Sequence, residues 1–172
     1  MKKKILRISL IYGIIAGIVC FLFFLVLYSA SDNPLKERRP DVGINILFIF
    51  LAIWIYKRRN GTYLHFYEGF SIGFLTNIIA ALVCGLSIYA FVKWIDPAPF
   101  TAWITQGKQF IIDQKDSLDA FLNEESYNLQ LKAFDNAKPY QIIFDDLMFK
   151  QFAIIAIMLI SMALRKQGDA IS

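Results

Sequence analysis

A chain of 172 residues that is 57% apolar and 19% charged, with a formal charge of +4 and a mean hydropathy of +0.49, is too oily for an ordinary soluble domain, in which about half the residues are apolar and about a quarter charged. The single histidine and two cysteines exclude a disulfide framework and the usual metal centres. The apolar excess belongs in lipid.

The first predicted element is a span over about 6–29, built on Ile8–Tyr28, which is 21 residues without a charge. That length crosses a hydrocarbon core of about 30 Å at about 1.5 Å per residue. MKKKILR resembles the basic start of a signal peptide, but the apolar run is too long, and YSASD at Tyr28–Asp32 is the one small-residue cleavage candidate. An uncleaved helix is expected. Gly13 and Gly17 form a GxxxG spacing that lets helix backbones approach closely, toward another span of this chain or toward a second copy in a homo-oligomer.

A short connection with Lys36, Arg38 and Arg39 leads to a second span over about 42–58. Its uncharged stretch, Val42–Tyr56, reaches only 15 residues and is extended by snorkelling of Lys57 and Arg58. The next stretch, YKRRNGTYLHFYEGF, divides into a basic clamp (Lys57, Arg58 and Arg59), a turn (Asn60 and Gly61) and an interfacial aromatic belt (Tyr63, Phe66, Tyr67 and Phe70). His65 stands alone. Glu68 falls in the first turns of the third helix, where a carboxylate suits the helix dipole and can reach Arg58 or Arg59.

The third span covers about 66–94, around an uncharged run of 23 residues, Phe70–Val92, with Ala81 and Gly85 as a second small-residue spacing. Asn45 and Asn77 are the most polar groups in the spans and are expected to hydrogen-bond between helices. Cys20 and Cys84 are read as packing residues. An insert over about 96–140 follows. Asp96 to Asp146 sums to −5, from four lysines and nine acids, leaving +9 for the rest. After the DPAP break, Phe100, Trp103, Ile104, Phe110, Ile111, Leu118, Phe121 and Leu122 recur at helical spacing opposite Lys108, Asp113, Lys115, Asp116 and Asp119. A second helix is expected over about Glu124–Ala133. This hairpin can rest on the bilayer or dock a periplasmic domain. The fourth span, about 142–165, has Asp145, Asp146 and Lys150 at its mouth, with Asp146 and Lys150 spaced for an interfacial i,i+4 ion pair.

The basic residues at the chain start, in the second connection and at Arg165 and Lys166 fall on one side if there are four spans. The positive-inside rule then puts both termini in the cytoplasm of an inner membrane. MKKK and KRR face anionic headgroups, which makes a nucleic-acid partner unnecessary. The sequence offers no catalytic constellation, no cofactor motif and no ionisable residue within the four apolar cores.

The segment from Ile55 to Pro97 resembles the signature region of a family of four-span proteins typical of Bacteroidota, number 4199 in the domain-of-unknown-function series. Its pattern falls on Asn60, Gly61, Phe66, Glu68, Phe70 and Gly73, with Asp96 and Pro97 at the exit of the third span. Thr62 stands where a second glycine is common. His65 stands where a small polar residue is usual, which argues against a family-wide catalytic histidine. The resemblance implies four spans with a helical extracytoplasmic insert and supplies no activity. The sequence thus reads as an all-α integral membrane protein, one membrane domain over 1–172, with no enzymatic role: a subunit that anchors, scaffolds or modulates a membrane or periplasmic partner. The alternative is a small transporter or lipid-handling protein with Asn77 and Glu68 lining a polar cavity.

Overall fold

A computed structural model of the chain describes residues 2–113 and 124–165. The expected positions Lys115, Asp116, Leu118, Asp119, Phe121, Leu122 and Lys166 lie outside them. The regular elements described are helices: α1 (Lys2–Ala30), α2 (Pro34–Glu37), α3 (Asp41–Arg59), α4 (Phe66–Trp94), α5 (Ala98–Asp113), α6 (Glu124–Asp135), α7 (Gln141–Lys150) and α8 (Ala153–Leu164). Three helical stretches are long and apolar enough to cross a membrane: Lys3–Ala30, Phe66–Trp94 and Gln141–Leu164, the last made of α7 and α8. α3 falls short of that measure, because Asp41 and three cations take four of its 19 residues.

Local chemistry sets the boundaries. Asn33 caps α2 by accepting the Lys36 N–H (3.2 Å), and Pro34 occupies the first helical position, where its missing N–H costs nothing. Between α3 and α4 the chain turns through Gly61 (φ +65°) and Thr62 (φ +70°). The second is an unfavourable place for a β-branched residue, which explains why a glycine suits that position. At the far end of α4, the Tyr28 hydroxyl and the Ala98 N–H both donate to Asp96 and hold its carboxyl below the ordinary carboxylate range.

α4 is the central helix and packs against α1, α3, α7 and α8. The α1 seam depends on the GxxxG pair: a Cβ on Gly13 would meet Ile79 Cβ at 2.7 Å, and one on Gly17 would meet Val83 Cβ at 2.6 Å and the Ala80 carbonyl at 2.9 Å. Both glycines therefore serve contact within the chain. Gly85 brings α7 close, with Ile143 Cα 3.1 Å from its virtual Cβ, Ala81 is fully buried, and Gly73 receives Ile157. Two apolar clusters fill the bundle, one around Ile49, Ile53, Tyr56, Leu64, Ile72 and Ile157, the other around Phe24, Leu35, Cys84, Ile88, Phe91 and Ile142. The outward faces carry exposed apolar residues, such as Val26 on α1 and Ile155 and Leu159 on α8, as a lipid-facing surface does.

The helices α5 and α6 pair beside this bundle. Gly107 admits the Phe134 ring, Trp103 meets Phe134 edge-on with ring centroids 6.1 Å apart, and Lys108 pairs with Asp135. The pair is tied to the first connection by an Asn33 to Gln106 hydrogen bond of 2.8 Å.

Candidate functional site

Between the two apolar clusters lies a layer of polar side chains that local sequence patterns do not announce. Arg38, Asp41, Asp146 and Lys150 are all buried, with side-chain exposures of 4%, 2%, 2% and 0%. Arg38 Nη1 donates to Asp146 Oδ1 (2.5 Å) and approaches Asp41 Oδ2 (3.5 Å). Lys150 Nζ bridges Asp146 Oδ2 (2.9 Å) and Asp41 Oδ2 (3.2 Å). Two cations and two carboxylates thus close into a neutral ring, drawing on the first connection, the start of α3 and the end of α7. At its rim, half-buried Asp145 takes Arg39 (3.2 Å) and lies 3.7 Å from Arg38, while Arg39 stacks on Phe149 at 4.2 Å.

One expectation is corrected: Asp146 and Lys150 do form the i,i+4 pair, but as part of a buried ring of four rather than at the mouth of a span. Arg38, a residue of the first connection, serves as an internal counter-ion. The ring is level with Cys20 and Cys84, since Cys20 Sγ donates to the Asp41 carbonyl (3.7 Å) and Arg38 Nη1 reaches Cys84 Sγ at 4.0 Å. From Cys20 to the end of α1, and from Cys84 to the end of α4, ten residues remain, about 15 Å of helix. The charges entered the bundle because α3 starts that far inside, which brings the connection down alongside α1 and α4, against Cys20 and Cys84.

α7 and α8 meet at a break beside this ring. Over Gln151 and Phe152 the backbone makes i to i−3 bonds, and the Ile154 N–H bonds Gln151 O. The Lys150 carbonyl accepts from Asn77 Nδ2 instead (3.0 Å), and Asn77 Oδ1 accepts from Asn45 Nδ2 (2.5 Å). The two asparagines bond between helices as anticipated, and they also repair a break in a third. Four buried polar atoms have no hydrogen-bond partner among the described residues: Arg38 Nε, Asp41 Oδ2, Asn45 Oδ1 and Thr76 Oγ1. Asp41 Oδ2 is nonetheless ion-paired.

Cys20 and Cys84 pack in the second apolar cluster, as read from the sequence, and Cys84 also lies beside two carboxylates. One donor atom each from Asp41, Cys84 and Asp146 lies within 4.8 Å of the others, a spacing that could hold a cation. Arg38 and Lys150 already face both carboxylates, so a metal ion would have to displace an ammonium or guanidinium group. The arrangement fits an internal salt bridge better than a metal centre.

A third buried carboxylate among the described residues is Glu68 on α4. It does not reach Arg58 or Arg59. Its Oε1 accepts from the Tyr56 hydroxyl (2.7 Å) and its Oε2 from the His65 N–H (3.0 Å), which satisfies one of the free donors at the start of α4. Arg58 instead lies over the Trp54 ring at 4.9 Å. Exposed His65 stacks on Tyr67, Phe66 stacks on Phe70 and Phe70 on Phe74, and Asn60 closes the turn by donating to Tyr63 O (3.3 Å). Glu68 and Asn77 are sealed at 1% and 0% exposure.

Sequence reasoning missed Arg38 and Asp41 as partners of Asp146 and Lys150. One available signal was that each half is a neutral pair at helical spacing, Arg38 with Asp41 and Asp146 with Lys150, flanking a span too short for its neighbours. Comparison with known proteins adds no activity: neither a curated protein nor a solved structure matches the chain. The model of the family described as "Protein of unknown function (DUF4199)" matches residues 11–167, nearly the whole length, and the chain belongs to that family.

Proposed function

We propose that the chain is a non-enzymatic inner-membrane subunit that holds a rigid extracytoplasmic platform for an envelope partner. In this reading α3 is the fourth span, its short length compensated by the descending connection, and both termini are cytoplasmic. α5 and α6 then lie outside. The observation that carries the proposal is a continuous chain of fixed contacts: Gln106 of α5 to Asn33, and from the same connection Arg38 and Arg39 to Asp146 and Asp145 of α7. The ionic ring clamps the base on which the hairpin sits, and the exposed Phe110, Ile112 and Leu129 offer apolar contact area.

Transport is the second reading, favoured by ionisable groups beside a broken helix, an arrangement that solute-moving proteins use. Against it, the four charges neutralise one another and are closed off, so a solute would have to compete with pairs already made. Crosslinking in native membranes followed by purification tests the first reading. A partner should co-purify with the chain and should be lost from a Gln106→Leu variant that still folds. A chain that runs alone and moves a solute in liposomes contradicts it.

A further inference from the structure

At the end of the bundle that carries the N-terminus, the first turns of α1 and the last of α3 flank a half-open cavity of about 300 Å³ lined by Lys4, Arg7, Ile8, Tyr56, Arg59 and Asn60. The lining positions are i, i+3 and i+4 on each helix, so each helix presents one face. Three cations line this space and no carboxylate does. None of the three makes an ion pair among the described residues, and the first turn of α1 carries no acid. Glu68 stands behind Tyr56 with its oxygens on the Tyr56 hydroxyl and the His65 N–H, and it makes no ion pair with any of the three.

We propose that this cavity binds the phosphate headgroup of an anionic phospholipid. Arg7 and Arg59, from opposite walls, take the phosphate oxygens, Lys4 adds a second point of charge, and Asn60 supplies an amide. The lipid is favoured over free phosphate by what surrounds the cations. Ile8 and the Tyr56 ring form an apolar wall, and the exposed Ile11 and Ile15, at i+3 and i+7 from Ile8, continue the same face of α1 as a surface for acyl chains. Trp54, stacked under Arg58 one turn away, is the type of residue that sits at headgroup level.

The test uses the full purified chain in a neutral detergent, with native mass spectrometry counting bound phosphatidylglycerol, phosphatidylcholine or inorganic phosphate. Wild type should retain phosphatidylglycerol about tenfold better than phosphatidylcholine, and Arg7→Gln with Arg59→Gln should remove that preference. Lys57→Gln with Arg58→Gln removes the same charge outside the cavity and should leave retention within about twofold. Equal losses in the two double variants would show unspecific charge attraction and overturn the proposal. So would inorganic phosphate that binds as well as the lipid or displaces it at equal concentration. Melting curves without lipid check folding, and Lys4→Gln on the exposed first turn provides a milder variant with the same expected direction.

Discussion

Among the described residues, carboxylates are buried in two places and satisfied in two different ways. Glu68 is held by two uncharged donors, Tyr56 and the His65 N–H, both within 12 positions of it. Asp41 and Asp146 are held by two full cations, and the Arg38–Asp146 pair joins positions 108 apart. A carboxylate kept by neutral neighbours is a local device that starts a helix. A ring of four charges is a tertiary device, and it fails as a unit, because removing one member strands an opposite charge in apolar surroundings. The ring is therefore the more consequential of the two, although its net charge is zero.

The sharpest way to break the comparison is Asp146→Asn, which strips Lys150 and Arg38 of their shared partner. A destabilisation of about 3–5 kcal/mol is expected in detergent unfolding, the usual cost of stranding a buried charge. Next comes Gly17→Leu, which forces a side chain into Val83 and the Ala80 carbonyl. About 1–3 kcal/mol of overpacking should appear in the same assay, along with lost contact between α1 and α4. Glu68→Gln keeps the shape but sets an amide N–H against one of two donors, so about 1–2 kcal/mol is expected, clearly less than for Asp146→Asn. Equal losses for the two would erase the distinction between local and tertiary satisfaction. The smallest effect, of opposite sign, belongs to Thr62→Gly, which relieves a β-branched residue at φ +70° and should raise the melting temperature by the equivalent of about 1 kcal/mol.

What was legible in the sequence follows the same division. The helix over 66–94 could be read from an unbroken apolar run, the turn from Asn60 and Gly61, and the seam from the spacing of Gly13 and Gly17, because each depends on neighbours in the chain. Asn77 could be read as an interhelical hydrogen-bonding group because few polar groups lie that deep in the spans. Arg38 could not be placed, because its role depends on where α3 begins relative to α1 and α7, and no local pattern encodes that depth. The break after Lys150 was hidden for the same reason: Gln151 and Phe152 are ordinary helix residues, and the Asn77 side chain that accommodates the break lies 73 positions away. Glu68 was read correctly as a residue of the helix start and wrongly as a partner of Arg58 or Arg59, since a nearby tyrosine hydroxyl was not weighed against a nearby charge.

The buried charges act as one structural lock, which a double-mutant cycle on Arg38 and Asp146 tests most directly. Arg38→Met and Asp146→Leu should each destabilise strongly. Together they leave Lys150 facing Asp41 at 3.2 Å as a neutral pair, so the double variant should be more stable than the sum of the two losses predicts, by about 1–3 kcal/mol. Losses that simply add, or single variants that melt like wild type, would contradict the lock.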